Sequence, residues 1–288
     1  NGYWAMYADI FSSSVFGYSN SDANDTTNFN LGSDADGNMR IRSWGNRTKV
    51  SGTVDGRCMY YRQIPADKTF TLRAKATVNE IDANGQVAFG LMARDDMLVD
   101  VRNNVDSGRT DGSYQEGVTD ITGALTNYVA AGTFGQGATN CFSRSTPKSL
   151  TKGPSLGADP VGKNAETGQE GTTYNLSILF SDGKYVCQID DNAPQEYTIA
   201  LNEVDSQFQY VGMFASRKAD ISFSDIYLGV DGEVVYDQSS QVVEKYTVTV
   251  AGDENGSAQA NVEEATADAV VALTATPNEG YCFDAWEV

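Results

Sequence analysis

QVAFGLMAR, residues Gln86 to Arg94, is the stretch on which the fold turns. In steps of two it places Val87, Phe89, Leu91 and Ala93 on one side and Ala88, Gly90, Met92 and Arg94 on the other, the period of an extended strand. QYVGMFASR, Gln209 to Arg217, repeats the arrangement, with Val211, Met213 and Ala215 inward and Tyr210, Gly212, Phe214 and Ser216 outward. The same alternation runs through GNMRIRS (Gly37 to Ser43), GRCMYYRQ (Gly56 to Gln63), TFTLRAKATVN (Thr69 to Asn79), YNLSILF (Tyr174 to Phe180), KYVCQID (Lys184 to Asp190) and ADISFSDIYL (Ala219 to Leu228). Asp55-Gly56, Asn84-Gly85 and Asp182-Gly183 lie between them, dipeptides that readily take hairpin-turn geometry. Short strands at this spacing predict an all-β sandwich or jelly roll. From Asp100 to Gln169 the pattern loosens into Gly, Ser, Thr and Asn, and Asn127 to Phe134 (NYVAAGTF) is the segment there that still reads as a strand. Asp231 to Lys245 reads as a last strand and a polar connection, which puts a domain boundary near Glu244.

Charge and composition exclude several classes of function. Against 20 Lys and Arg stand 39 Asp and Glu, a net charge of −19, which repels phosphate backbones and anionic headgroups. Nucleic acid and membrane insertion are therefore not expected, and no run approaches the roughly 18 apolar residues of a spanning helix. Histidine is absent, so imidazole bases, His-based triads and His-ligated metals are excluded from this stretch of chain. The four cysteines, Cys58, Cys141, Cys187 and Cys282, form no C-x-x-C pair, which removes zinc-ribbon and redox-motif readings and leaves any pairing open. Cys187 alternates with Tyr185 and Ile189, the position of a small buried hydrophobe. No initiator Met or basic-then-apolar leader opens the sequence, so a signal peptide, if the parent protein has one, is expected to lie outside it.

Two groups of residues are candidate sites. If the strands Gln86 to Arg94 and Gln209 to Arg217 adjoin, Gly90 and Gly212 leave a shallow trough floored by Met92 and Phe214 and rimmed by Arg94 and Tyr210. There Arg94 would donate to hydroxyl or carboxylate groups and the aromatics would stack on sugar rings. The competing reading is that the glycines serve sheet twist or a bulge. Asp34-Ala35-Asp36-Gly37-Asn38, following Asp22, Asn24 and Asp25, offers oxygen ligands at alternate positions around a Gly turn, which makes Asp34, Asp36 and Asn38 candidate Ca2+ ligands. A solvated Asx-turn is the alternative. Asp95, after Arg94, is expected to pair with Arg217 on an adjacent strand end. Trp4, Trp44, Tyr114, Phe134 and Phe142 are further rings able to stack on sugars or to cap the sandwich ends.

YYRQIPADKTFTLRAKATVNEIDANGQVAFGLMARDDM (Tyr60 to Met97), NYVAAG (Asn127 to Gly132) and YVGMFASRKADISFSDIYL (Tyr210 to Leu228) together resemble the concanavalin A-like, laminin-G-type accessory domain of pectate lyases and related secreted Firmicutes proteins. The resemblance covers most of residues 7 to 230, GLMARDDM being its most specific part, and it implies a jelly-roll sandwich. YTVTV, Asn255-Gly256 and VVALTATPNEGYCFDAWEV (Tyr246 to Val288) resemble the divergent internalin-type B-repeat of bacterial extracellular proteins. Such repeats continue for one or two strands past the tryptophan, so the resemblance implies an incomplete module. Glu80-Ile81-Asp82 resembles part of the E-x-D-x-x-E site of jelly-roll β-glucanases, but Gly85 stands where the third carboxylate belongs. The strand motifs of jelly-roll alginate lyases are missing.

The expectation is a concanavalin A-like sandwich over residues 1–244 and a partial B-repeat over 245–288. Its function is read as a non-catalytic carbohydrate-binding or accessory module, monomeric within a larger secreted or surface-attached bacterial chain, with a polysaccharide as partner. A spacer or adhesin, and a polysaccharide lyase or glycosidase, are the alternatives.

Overall fold

A computed structural model describes residues 10–16, 29–44, 48, 50, 57–81, 87–97, 126–134, 139–145, 149–154, 170–240, 245–266 and 269–286. Two antiparallel sheets face each other. The first runs β1 (Ser12–Phe16), β4 (Arg57–Pro65), β13 (Phe208–Ser216), β6 (Ala88–Arg94), β7 (Tyr128–Phe134), β8 (Thr139–Ser145) and β9 (Ser149–Lys152). The second runs β12 (Gln195–Tyr197), β11 (Lys184–Ile189), β10 (Thr173–Ser181), β5 (Phe70–Ile81), β14 (Ala219–Val230), β3 (Met39–Ser43) and β2 (Phe29–Ser33). β15 (Glu233–Asp237) pairs with the far half of β14. Neighbours in each sheet come from distant parts of the chain, as in a jelly roll.

Alternation explains the core. Val87, Phe89, Leu91 and Ala93 of the first sheet, with Val211, Met213 and Ala215, meet Leu72, Ala74, Ala76, Leu176, Ile178, Ile221 and Phe223 of the second. Cys58, Cys141 and Cys187 are buried in the same layer, where burial pushes the Cys58 and Cys187 thiols up. Asp182-Gly183 joins β10 to β11 with φ of 51° and 72°, the left-handed pair of a two-residue hairpin turn. Asp55-Gly56 and Asn84-Gly85 lie outside the described residues.

β14 carries the irregularity that matters later. Ser224 opposes Lys75 and Tyr227 opposes Arg73, so one extra residue is accommodated there as a bulge, with Asp225 at φ 51°. The inward set switches from Ile221 and Phe223 to Ile226 and Leu228. Beyond a 3-10 turn at Gln238–Ser240, two small ladders complete the described chain: β16 (Lys245–Thr247) with β18 (Glu264–Thr266), and β17 (Gly256–Ala260) with β19 (Leu273–Pro277). Tyr246, Tyr281, Phe283 and Trp286 are exposed in this segment.

Candidate functional site

β13 and β6 do adjoin, and the register brings the four residues of the expected trough together: Tyr210 opposite Arg94, Gly212 opposite Met92, Phe214 opposite Gly90. The trough itself is filled. Met92, Phe214 and Arg94 are each 1% exposed, packed among Val50, Met59, Met97, Tyr128, Ala130 and Phe142 in a second apolar layer on the outer side of this sheet. Arg94 donates to Thr126 Oγ1 (2.7 Å) and to the Asp96 carbonyl (3.2 Å), so its guanidinium is committed inside the protein. Arg144, also buried, donates to the Thr126 carbonyl at 2.7 Å and lies 4.6 Å above the Tyr128 ring. Only Tyr210, half-buried, keeps a rim position, its hydroxyl donating to Asp205 (2.7 Å) and its ring 5.8 Å from Tyr61. The glycines serve the backbone: a Cβ on Gly212 would lie 1.9 Å from the Tyr60 carbonyl oxygen, and one on Gly90 2.2 Å from that of Ala131.

The residues of the other expected sites make the following contacts. Asp34 Oδ1 accepts the Asp36 and Asn38 amides at 3.0 and 2.9 Å, and its Oδ2 accepts Asn38 Nδ2, which is the Asx-turn arrangement. Asp36 turns away to Lys245 Nζ at 2.9 Å. Among the described residues no group of three acidic or Cys side chains is placed to hold a metal ion. Asp22, Asn24, Asp25, Trp4, Tyr114 and Asp82 lie outside the described residues. Glu80 binds Arg42 at 2.7 Å. Asp95 accepts the Asn127 amide and side chain, both at 2.7 Å; Arg217 is far from it, because the antiparallel register sets Ser216 opposite Ala88 at the other end of β6. Trp44 carries the Arg42 guanidinium 4.4 Å above its ring, while Phe142 is core and Phe134 packs at its edge.

The open site is on the outer face of the second sheet. A groove of about 490 Å³ crosses β11, β10, β5, β14 and β15, within the size range of ligand clefts. Successive registers lay Gln188, Ser177, Arg73, Tyr227 and Asp237 in one row across five strands. Asn175 and Lys75 form a second row, with Asp190 and Asp225 at its ends. The strands alternate, so these polar side chains stand outward wherever Leu72, Ala74, Leu176 and Ile178 point in. The β14 bulge sets Asp225 within 2.6 Å of Lys75 Nζ. Arg73 lies 4.5 Å over the Tyr227 ring.

Each of these strands is legible in the amino-acid sequence, but the site is not. Which strands adjoin is fixed by β5 lying between β10 and β14, about a hundred or more residues on in the chain, and alternation carries no such information. The one local signal was the break of parity between Phe223 and Ile226, which marks a bulge.

The sequence profile of the pectate disaccharide-lyase N-terminal domain matches residues 8–232. The chain belongs to that family. A divergent InlB B-repeat domain profile matches residues 246–288, so both resemblances read from the sequence are shown. Pectate lyase L of Thermoclostridium stercorarium is 29% identical over 206 residues, which is 71% of this pectate disaccharide-lyase N-terminal domain chain but 14% of that enzyme. Among solved structures, an alginate lyase of polysaccharide lyase family 7 is similar at a TM-score of 0.41 and 10% identity, over 69% of this chain and 82% of that one. A carbohydrate-binding module from Bacillus subtilis is similar at a TM-score of 0.35 and 12% identity, over 79% and 96%.

Proposed function

We propose that this pectate disaccharide-lyase N-terminal domain is a non-catalytic polysaccharide-binding module, acting outside the cell beside the catalytic part of a polysaccharide-degrading protein. The observation that carries the reading is the groove of the second sheet, where Gln188, Ser177, Arg73, Tyr227 and Asp237 align across five strands. A row of hydroxyl, amide and guanidinium groups beside an aromatic ring is suited to a chain of sugar hydroxyls. Family membership and the relation to a pectate lyase support a polysaccharide as the partner, and a polymer too large to enter a cell is met outside it.

The non-catalytic part rests on the groove's acidic groups, each of which is already engaged. Asp190 Oδ1 accepts the Asn175 amide (2.8 Å) and Nδ2 (3.2 Å), Asp225 pairs with Lys75, and Asp237 Oδ1 accepts the Ser239 amide and hydroxyl (3.0 and 2.7 Å). No histidine exists to serve as base. The test is retention of the folded chain on gels containing polygalacturonate, alginate or a neutral galactan. Retention that weakens in Tyr227→Ala and Gln188→Ala supports the reading; no retention on any glycan favours a spacer or protein-contact role. Release of unsaturated uronate by the purified chain would overturn the non-catalytic assignment.

A further inference from the structure

The groove's chemistry goes further than sugar binding in general, and we infer that it reads a carboxylate on the sugar, with Arg73 as the donor; this rests on the binding role proposed above. Arg73 stands exposed at the centre of the five-strand row, opposite Ser177 on one side and Tyr227 on the other. It forms no ion pair with any described residue, although the chain carries 39 acidic residues against 20 basic ones. Its guanidinium rests 4.5 Å over the Tyr227 ring, which holds one face of the ion and leaves its N–H edge to the groove. The other cation in the groove, Lys75, is taken by Asp225. Asp190 and Asp237 accept from Asn175 and Ser239. The other charged side chains of the groove are therefore engaged, around one planar cation whose donors are open. That fork matches a carboxylate in two-point geometry, while Ser177, next in the row, and Gln188, whose Nε2 also donates to the Asn192 carbonyl at 3.0 Å, are placed beside the hydroxyls of the same or an adjacent ring.

The surroundings sharpen the requirement. Asp190, Asp225 and Asp237 repel an anion placed anywhere else in the groove, so the ligand carboxylate has one favourable position, against Arg73. A sulfate ester would carry the same charge without the planar two-oxygen edge, and the experiment separates the two sources of an anion.

The wild-type chain is titrated with oligogalacturonate, with its fully methyl-esterified form, and with a sulfated galactan oligosaccharide, alongside Arg73→Gln and Arg73→Lys. Arg73 is exposed, so both variants are expected to melt with the wild type. The expected result is acid bound roughly tenfold or more tightly than ester, a preference lost in Arg73→Gln and only partly restored in Arg73→Lys. Equal affinity for acid and ester, or a preference that survives Arg73→Gln, overturns the carboxylate assignment while leaving glycan binding intact. Tighter binding of the sulfated ligand than of the uronate also overturns it. Binding of none of the three to the wild type overturns the carboxylate assignment, and where alginate and neutral galactan are not retained either, the underlying binding role falls with it.

Discussion

At the scale of single residues, the fold rests on positions that no surface property would reveal. Gly212 pairs with Tyr61 on one side and Met92 on the other, and any side chain there meets the Tyr60 carbonyl. Gly212→Ala is expected to cost about 2 kcal/mol or more in urea denaturation. Gly232, at φ +82° with open space around its Cβ position, isolates backbone strain from collision, and Gly232→Ala should cost only about 1 kcal/mol. Equal losses at the two sites would contradict the close approach of β4 and β13. Asp220 is the second such position. It is buried, yet it accepts Arg40 Nε and Nη2 at 2.8 and 2.6 Å, Arg42 Nη1 at 2.9 Å and Asn79 Nδ2 at 3.1 Å. Burial pushes its carboxyl up, and the two guanidinium groups outweigh burial and hold it below the usual carboxylate range. A depressed folded pKa contributes stability that is present above the unfolded value, about 3.9, and is lost as pH falls through the folded one. Stability against pH should therefore fall on the acid side below about pH 4, and Asp220→Asn should flatten that limb while costing about 3 kcal/mol at neutral pH. An unchanged acid limb in the variant would show that other carboxylates set it.

At the scale of elements, β5 and the β2–β3 hairpin show how one alternation serves different ends. β5 lies between β10 and β14, so Leu72, Ala74 and Ala76 build the core while Arg73 and Lys75 hold the floor of the groove. The bulge in β14 keeps Ile226 and Leu228 inward and still presents Tyr227 beside Arg73. In the hairpin, Asp34 spends its carboxylate on turn amides that would otherwise lack partners. Stripping that carboxylate from its amides would offset what a cation gains there, so calcium at saturation is expected to leave the melting temperature unchanged, as is chelation. A calcium-dependent rise would show that the ion binds the folded state.

At the scale of the whole molecule, residues 8–232 and 246–288 match two different families, and we propose the boundary between them near Glu244. The ion pair of Asp36 with Lys245 links the two parts at the surface, where such pairs contribute about 0–1 kcal/mol. Within the described part of 245–286 only Ala265 is buried, so the second part adds little to the core of the first. Limited proteolysis should cut between residues 238 and 246 and release a fragment that melts as the intact sandwich does and keeps its glycan binding. Cleavage first inside β4, β5, β6, β13 or β14 would contradict two separable parts.

The amino-acid sequence by itself determined the strands β3 to β7, β10, β11 and β13 to β15, because alternation of period two is a local property that burial on one face imposes, whereas β1, β2, β8, β9 and β12 were not legible in it. Val87, Phe89, Leu91, Val211 and Met213 are core as their spacing requires, and the residues opposite them are outward. It also determined that this stretch of chain supplies no imidazole, since composition alone decides that. Whether an outward face meets solvent was decided only by the tertiary structure. Arg94, Met92 and Phe214 point away from the core, yet all three are buried, Met92 and Phe214 within a second apolar cluster on that side. Arg73, Ser177, Gln188 and Tyr227 lie on four strands whose adjacency depends on long-range pairing, and they become one groove only when β5 is enclosed by β10 and β14. A strand's own sequence states which way its side chains face, but neighbours and covering layers are set by free energy summed over contacts between distant segments.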